Sequence, residues 1–246
     1  VKAYLETLVA AGTISVMPFS GAFNWSLMNN MAARHAVEGL GAQHRRDAHS
    51  LVFLNNDTVV LSPDWLDRLV GQCQRPEVGI VGARLVYANG SIQHAGFVSR
   101  NRPDGFLTHE GVGRPGSDPG YQDRHIIARS AIAVTGACMA LKASVFDDLG
   151  GFDAIALPGD GSDVDLCFKA LSSGLRVIYE PGATLYHLES RSRSFRFEGQ
   201  RKTDADSASQ VLWQRWGEPY GHDGGFNPHF DRHRQPFSRL RPVSVI

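Results

Sequence analysis

The most chemically suggestive stretch of the sequence is an apolar run that ends in two amides and a carboxylate. Leu51–Leu54 is followed directly by Asn55, Asn56 and Asp57. Four apolar residues between polar ones are typical of a strand covered on both faces at the centre of an α/β sheet. Ligands of such sheets gather at the carboxyl ends of the strands, so Asp57 could hold a divalent cation against a phosphate-bearing ligand. Asp57 could equally well only close the turn before the next helix.

Three further polar residues that could take part in chemistry follow later in the chain. Asp163 and Asp165 open a segment whose apolar positions predict a helix that ends at Gly174. Carboxylates in a first helical turn are favoured by the unpaired amides and by the helix dipole, without any catalysis. His187 ends a strand-like segment, where a histidine is commonly structural. The local pattern therefore leaves a structural and a chemical role open for these residues.

Small polar residues also stand at the start of a helix predicted to run to about Glu38. Asn24, Ser26 and Asn29 could cap this helix or line a nucleotide pocket. His94 lies on a strand predicted over residues 92–98 and could face an acceptor or pack beneath the segment that follows. That segment, residues 101–124, is rich in Gly, Pro and charge, and its length is typical of a lid or binding loop.

The elements that must position these side chains alternate between strands and helices, which predicts an α/β domain. A domain of this class normally opens with a strand, whereas this chain opens with a short helix over residues 2–11. We therefore expect an earlier strand upstream of Val1. The predicted helices cover residues 2–11, 24–38, 63–74, 144–149, 162–171 and 204–216, and the strands 13–17, 51–54, 78–81, 84–87, 92–98, 131–135, 138–141, 176–179 and 183–186.

The composition narrows the functional class. The 246 residues include 25 Lys+Arg and 25 Asp+Glu, so there is no overall basic field that would recruit nucleic acid or an anionic membrane. Three cysteines without CxxC spacing predict reduced, buried thiols in a cytoplasmic protein. Neither an apolar run of 18 residues nor a signal peptide is visible. A polar surface loop is expected over residues 39–49. The arginines between residues 191 and 202 could form a solvated face or clamp a diphosphate.

Several motifs in this order make the sequence similar to the family 2 glycosyltransferases, especially the bacterial rhamnosyl- and hexosyltransferase-like members that build surface polysaccharides. The resemblance covers roughly residues 14–230 and is carried by many short motifs together. These are FNWS at 23–26, LNND at 54–57, GARL at 82–85, IQHAG at 92–96, TGAC at 135–138, GGFD at 150–153, SDVDLC at 162–167, YHLES at 186–190, RWG at 215–217 and FNP at 226–228.

The resemblance implies a fold. It predicts the GT-A fold, an α/β, Rossmann-like mixed central sheet flanked by helices, with one or more N-terminal strands missing. The glycosyltransferase domain would cover residues 1–190, and residues 191–246 would form a C-terminal helix and an extended tail.

The resemblance also implies roles for individual residues. Asp57 would ligate Mn²⁺ or Mg²⁺ bridging the diphosphate of a UDP, GDP or dTDP sugar, and His187 would be a further ligand that suits Mn²⁺ better. Asn55 replaces the first Asp of the family's motif, which leaves the metal one anionic ligand fewer. Asp163 would be the catalytic base, and Asp165 would cap its helix or orient its neighbour. The nucleotide would be held by the metal motif and the 23–29 segment, at Asn24, Ser26, Asn29, Asn55, Asn56 and Asp57.

The function implied is an inverting, metal-dependent transfer of a sugar to a glycan or lipid-linked acceptor. It would take place in the cytoplasm at the inner face of the cell membrane, with membrane association through another domain and no nucleic-acid partner. Two alternatives stay open. The chain could be a non-catalytic remnant that binds a nucleotide or glycan, because the expected missing strand holds the nucleobase in the family. It could also be a metal-dependent phosphoesterase built on Asp57, Asp163 and His187.

Overall fold

The computed structural model describes residues 2–39, 49–188, 198–232 and 234–242, and for residues 198–204 it describes the backbone alone. Residues 40–48 of the expected polar loop and the arginines between residues 191 and 202 lie outside the described side chains.

Within these ranges, seven strands form one mixed sheet in the order β1-β8-β3-β9-β2, with β4 added to β3 and β7 added to β9. The neighbours β3 and β9 are parallel, and the other pairs are antiparallel. The strands are β1 (Ser50–Leu54), β2 (Thr58–Val60), β3 (Val78–Val86), β4 (Ile92–His94), β7 (Arg129–Ser130), β8 (Cys138–Lys142) and β9 (Arg176–His187).

A separate two-stranded sheet is formed by β5 (Phe97–Ser99) and β6 (Leu107–His109). The single strand predicted over residues 92–98 is therefore wrong. It breaks at Gly96, whose φ of 91° is a left-handed conformation that glycine adopts at low cost. At this break the chain leaves the main sheet, and β5 pairs with β6, which lies within the long loop predicted over residues 101–124.

Helices cover both faces of the main sheet. On one face, α3 contributes Leu69 and Cys73 to a cluster with Leu85 and Ile178, all almost fully buried. On the other face, α5 contributes Leu166 and Phe168 to a larger cluster that also takes in residues of α2 and α6. The helices are α1 (Lys2–Ala10), α2 (Trp25–Gly39), α3 (Trp65–Cys73), α4 (Ala143–Asp148), α5 (Ser162–Ser172) and α6 (Glu198–Tyr220). None of the helices in the described ranges is long and apolar enough to cross a bilayer.

The apolar run before Asp57 forms a strand as predicted. The prediction that this strand lies at the centre of the sheet and is covered on both faces is wrong. In β1 only Phe53 is buried, and Leu54 is 45% exposed. Among the described residues β1 pairs on one side only, with β8, whereas β3 lies between β8 and β9 and is buried along almost its whole length. A short apolar run does not distinguish an edge strand from a central one, because only tertiary neighbours do so.

The strand predicted over residues 13–17 is also wrong. These residues have no regular structure, and Val16 and Met17 are exposed. Alternating β-branched residues favour a strand only where a neighbouring strand is present to pair with them.

A bulge divides β9. Glu180 pairs with Ala83, but the next residue of β3, Arg84, pairs with Thr184, so residues 181–183 have no counterpart on β3. The Glu180 side chain stabilises the bulge, because its Oε1 accepts a hydrogen bond from the backbone N–H of Gly182 (2.9 Å) and its Oε2 accepts one from Gln72 (2.9 Å). The predicted interruption at Pro181–Gly182 is thus a bulge within one continuous strand.

The C-terminal region packs against the rest of the chain. Ala208 and Leu212 of α6 are buried in the larger core cluster. Beyond α6, Phe237 stacks on Tyr121 (ring centroids 5.1 Å apart) and lies beneath the guanidinium of Arg124 (4.7 Å). The described residues after α6 therefore fold back onto the 110–125 segment, and the division into a domain over 1–190 and a C-terminal part stays a prediction.

The three cysteines are free and buried, as expected. Burial raises the pKa of the Cys73 and Cys138 thiols to about 12, so both remain protonated and unreactive at neutral pH.

Candidate active site

A cavity of about 380 Å³ lies where β1 and β9 end, between the main sheet and α6. Its lining includes Asn55 after β1, His187 at the end of β9 and Asp163 in the first turn of α5. Asp57 is not part of the lining, but its Oδ1 lies 3.1 Å from His187 Nε2, directly behind the imidazole. The structure therefore places Asp163 in the cavity lining and Asp57 one contact away from it, through His187, and their roles at one site stay a prediction.

The imidazole of His187 is held in one orientation. Its Nδ1 lies 2.7 Å from Oε1 of Gln93, a group that can only accept, so Nδ1 carries the proton and donates it. In the neutral ring, the lone pair on Nε2 then faces Asp57 Oδ1, which is buried and has no hydrogen-bond partner. Histidines that bind metals are commonly fixed in this way through the other ring nitrogen.

The Asp57–His187 pair fits a divalent cation. A carboxylate oxygen and an imidazole lone pair aimed at each other require either a proton on Nε2 or a cation that both atoms contact. Two neighbouring ligands of an octahedral ion, each about 2.1 Å from the metal, are about 3.0 Å apart. The separation of 3.1 Å between Asp57 Oδ1 and His187 Nε2 matches that distance.

The protein supplies few ligands of its own at this point. Among the described residues, no group of three or more His, Cys, Asp or Glu side chains could hold a metal. Asn55 stands nearby, with its Nδ2 3.4 Å from His187 Nε2 and its Oδ1 accepting from the indole N–H of Trp25 (3.4 Å). A cation at Asp57 and His187 would thus depend on substrate oxygens and water to complete its coordination, which is common for Mg²⁺ bound with phosphates.

Asp163 also lines the cavity. Its Oδ2 accepts a hydrogen bond from the backbone N–H of Gly136 (2.7 Å), and its Oδ1 accepts one from that of Val164 (2.8 Å). Burial raises the pKa of the Asp163 carboxyl above its ordinary value, although these two hydrogen bonds oppose the shift. A carboxylate oxygen has two lone pairs, so each oxygen can still accept a proton from a ligand in the cavity.

Residue 136 must be small for this arrangement. A Cβ at Gly136 would lie 2.8 Å from the ring of Trp25 and 3.2 Å from Cβ of Asp163. The glycine therefore lets the backbone N–H reach the carboxylate while the indole closes the same wall.

Asp165 faces away from the cavity. It is fully buried and accepts hydrogen bonds from Arg215 Nη1 (3.1 Å) and Trp216 Nε1 (2.9 Å), and it forms an ion pair with Lys169 (3.0 Å). Residues that are two positions apart on a helix direct their side chains to nearly opposite sides, which explains the different surroundings of Asp163 and Asp165. Asp165 connects α5 to α6, which agrees with the structural role expected for it.

The three polar residues at the start of α2 do not line the cavity. Asn24 caps the helix by accepting from the N–H of Leu27 (2.8 Å), and its amide donates to the carbonyl of Ala154 (2.8 Å). Ser26 is fully buried and donates to the carbonyl of Leu157 (2.6 Å). Asn29 donates to the carbonyl of Trp25 (2.8 Å). Asn24 and Ser26 attach α2 to residues 154 and 157, whereas Asn29 bonds within α2. Asn56 is exposed. A nucleotide-binding role for these residues stays a prediction.

The individual residues of the opposite wall of the cavity were not predicted from the sequence. This wall consists of residues 105–107 and His109, from the predicted binding loop, and of residues 205–212 on α6. The hydroxyl of Ser209 joins the two parts, because it accepts from the backbone N–H groups of Gly105 (3.2 Å) and Phe106 (3.1 Å) and donates to the carbonyl of Pro103 (3.1 Å). Asp206 adds a further carboxylate at this wall. The length of the loop was the signal in the sequence, but nothing in it identified α6 as the partner.

The same fold is found in known glycosyltransferases. The crystal structure of GalNAc-T7 with UDP, GalNAc and Mn²⁺ superposes with a TM-score of 0.55 over 80% of this chain and 35% of that chain, at 14% sequence identity. The mixed α/β architecture is therefore the GT-A fold, as the sequence predicted.

The chain belongs to the family described as glycosyltransferase like family 2, whose model matches residues 26–203. It is 38% identical over 209 residues to the O-antigen biosynthesis protein RfbC of Myxococcus xanthus, covering 84% of this chain and 15% of that protein. It is 36% identical over 220 residues to protein y4gI of Sinorhizobium fredii, covering 89% of this chain and 23% of that protein. The chain thus spans less than a quarter of the length of either relative.

Proposed function

We propose that this glycosyltransferase domain moves a sugar from a nucleoside-diphosphate sugar to an acceptor hydroxyl with inversion at the anomeric carbon. The observation that carries the proposal is the cavity that Asp163 and His187 both line, with Asp57 in contact with the His187 imidazole. An inverting transfer needs these two chemical functions at two separate places.

Asp163 serves as the general base. The acceptor hydroxyl attacks the anomeric carbon on the face opposite the leaving diphosphate, and the Asp163 carboxylate removes its proton as the bond forms. Positioned general-base catalysis contributes roughly 10²- to 10⁴-fold. The raised pKa of this carboxyl supports the assignment, because a base is most effective when its pKa approaches the working pH.

Asp57 and His187 would hold Mn²⁺ or Mg²⁺ at the diphosphate end of the donor. When bound, such a cation neutralises the negative charge that accumulates on the departing diphosphate. Gln93 keeps the Nε2 lone pair of His187 directed at this point. The Mn²⁺ and UDP named in the GalNAc-T7 structure support the same chemistry for this chain.

The donor is a UDP, GDP or dTDP sugar, and the acceptor is a glycan or a lipid-linked saccharide of a cell-surface polysaccharide. The name of the Myxococcus relative, an O-antigen biosynthesis protein, supports this acceptor class. The free, buried cysteines are in keeping with work in the cytoplasm at the inner face of the membrane, with membrane attachment provided by another domain.

The test is a comparison of binding with turnover. Titration calorimetry with UDP, GDP and dTDP, each with and without Mn²⁺, identifies the nucleotide. The corresponding sugar donors are then incubated with lipid-linked and free saccharide acceptors, and the products are identified by mass spectrometry. We expect nucleoside diphosphate and an elongated acceptor of inverted anomeric configuration.

Other outcomes would favour the alternatives. Nucleotide binding without turnover on any acceptor would indicate a non-catalytic binding domain. Release of nucleoside monophosphate would indicate a phosphoesterase. A product that retains the donor's anomeric configuration would contradict the role of Asp163 as base to the acceptor.

A further inference from the structure

Two histidines beside the cavity are joined by a short hydrogen bond that the mechanism above does not use. The Nδ1 atoms of His94 and His109 lie 2.6 Å apart. His94 is fully buried, which agrees with packing, one of the two roles left open for it, whereas His109 is partly exposed and lines the cavity. A hydrogen bond between two ring nitrogens requires one of them to donate and the other to accept, so the two rings constrain each other.

The fold explains why these two rings meet. His94 ends β4, the chain turns at Gly96, and β5 then pairs with β6 so that Phe97 lies opposite His109. The ring of Phe97 contacts both imidazoles, with centroids 5.0 Å from His94 and 4.2 Å from His109. The orientation of each ring is therefore fixed by packing as well as by the hydrogen bond.

The position of each proton follows from the hydrogen bonds. The backbone N–H of Thr135 donates to Nε2 of His94 (3.3 Å), so this nitrogen carries a lone pair. In a neutral ring the proton of His94 is then on Nδ1, and it is donated to Nδ1 of His109. Nδ1 of His109 is consequently the acceptor, and its own proton lies on Nε2. Among the described residues no protein group accepts that proton.

Both rings remain neutral over the working pH range. Burial, followed by the neighbouring positive groups, lowers the pKa of His94 well below its ordinary value, and burial lowers the pKa of His109 to about 4. The charged or titratable groups that act on the pair are His187 for both rings and Arg129 for His94. Protonation of both rings would also place two N–H groups against each other across 2.6 Å.

We propose that His109 presents its Nε2–H to a diphosphate oxygen of the nucleotide sugar, and that His94 is a positioning residue that fixes the His109 tautomer. A phosphate oxygen is an acceptor only, which suits a nitrogen that can only donate. His109 and His187 line the same cavity. They are linked through β4, because Gln93 contacts His187 and the next residue, His94, contacts His109. The inference rests on the proposed function, because it names a group that holds the donor of that reaction.

The first test reads the tautomers directly. In the full chain labelled with ¹⁵N-histidine, long-range ¹H–¹⁵N correlation spectra at pH 7 distinguish the Nδ1–H from the Nε2–H form of each ring. We expect the Nδ1–H form for His94 and the Nε2–H form for His109. The opposite pattern, or a doubly protonated ring in either residue, overturns the inference.

The second test separates hydrogen bonding from packing. In His109→Gln the side-chain amide can place an N–H near the position of Nε2, whereas His109→Leu fills the space without a donor. A hydrogen bond to a charged group is worth roughly 10- to 100-fold in an equilibrium constant. We expect Leu to weaken Mn²⁺-dependent binding of the nucleoside diphosphate, and of inorganic pyrophosphate, by about that factor, and Gln to restore most of it.

His35→Leu is the matched control, because His35 is exposed and contacts Ser15 away from the cavity. Thermal unfolding checks that both position-109 variants are folded, and the NMR test decides the matter if one is not. Equal binding by the folded Leu variant and the unmodified chain overturns the inference alone. Failure of the unmodified chain to bind any nucleoside diphosphate overturns the proposed function, and the diphosphate assignment with it.

Discussion

The two walls of the cavity are built in different ways. The wall that carries Asp57 and His187 is part of the main sheet, and backbone hydrogen bonds hold it at several points. His187 pairs with Thr58 across β9 and β2, the N–H of Leu188 donates to the carbonyl of Asp57 (2.8 Å), and the N–H of Asn55 donates to that of Ala137 (2.9 Å).

The opposite wall is a loop placed against a helix. Residues 103–106 are joined to α6 through the single hydroxyl of Ser209. The ring of Phe106 adds contacts with Trp213 (5.3 Å) and Phe168 (5.8 Å). The comparison teaches that the groups proposed for chemistry lie on strand ends and a helix start held by backbone hydrogen bonds. The wall that covers them is held by side chains, the hydroxyl of Ser209 and the buried ring of Phe106.

The largest effect is expected on the chemical side, from Asp163→Asn. The amide keeps an oxygen for the N–H of Gly136 but cannot take a proton, so kcat should fall by roughly 10²- to 10⁴-fold. Calorimetry should show nearly unchanged nucleotide binding. Sugar transfer at the wild-type rate would remove Asp163 from the mechanism and leave the two walls without a functional difference.

The pH dependence of kcat in the unmodified chain tests the same role of Asp163 as the base. Since burial raises the pKa of Asp163, the carboxyl stays protonated to a higher pH than an ordinary aspartate. The reactive form is the carboxylate, so kcat should rise with pH through that raised pKa, above the ordinary value of about 3.9. If the residual activity of Asp163→Asn shows the same fall of kcat at low pH, that fall is caused by the titration of another group.

The next largest effect is expected from Asp57→Ala. The change removes the anionic member of the proposed metal pair, so Mn²⁺-dependent nucleotide affinity should fall by more than the roughly 10- to 100-fold that loss of an outer-sphere partner costs. Asp67→Ala is the control, since Asp67 is exposed on α3. Affinities measured with and without Mn²⁺ distinguish a metal role from a general charge effect, and an equal loss in both conditions would contradict it.

A smaller effect is expected when a support of the same wall is removed. Gln93→Leu deletes the acceptor that fixes Nδ1–H of His187, which should lower Mn²⁺ affinity by about 10- to 100-fold while kcat at saturating metal is largely retained. Metal titration of transfer activity measures both quantities. A variant that is not rescued by excess metal would show that Gln93 acts on the ligand rather than through His187.

The smallest effect is expected on the covering wall, from Ser209→Ala. Without the Ser209 hydroxyl, the N–H groups of Gly105 and Phe106 can bond only to water, which should cost about 1 kcal/mol of local stability. Hydrogen exchange at these two amides should accelerate about 5- to 10-fold, while exchange in β3 stays unchanged. Ser207→Ala, at an exposed position of the same helix, is the control. Faster exchange throughout β3 would mean that the two walls do not open independently.

The same contrast explains what could be predicted from the sequence. Asp57 follows a predicted strand, His187 ends one and Asp163 starts a helix, so their local positions could be predicted from the sequence pattern. Their roles at one site follow from the family resemblance, because the local pattern leaves a structural role open for each. The edge position of β1 could not be predicted, because four apolar residues look alike in an edge strand and a central one.

The covering wall depends on contacts between segments far apart in sequence. Ser209 contacts residues more than a hundred positions earlier, and neither end of that contact has a local signature. The pairing of His94 with His109 depends on the turn at Gly96 and on the register of β5 with β6, which a single predicted strand over residues 92–98 concealed. Asn24 and Ser26 were ambiguous because the same side chains that cap helices also bind nucleotides.

The bulge in β9 makes the direction of His187 depend on the number of residues that precede it. Side chains alternate between the two faces of a strand, and the three residues 181–183 have no partners on β3, so they reverse the alternation once. Deletion of one of them would turn every later side chain of the strand to the other face. The imidazole would then leave Asp57 although no residue of the site had been changed. Length variation at this one place is therefore expected to abolish cation binding, whereas similar variation in an exposed turn such as that at Gly90 is expected to be harmless.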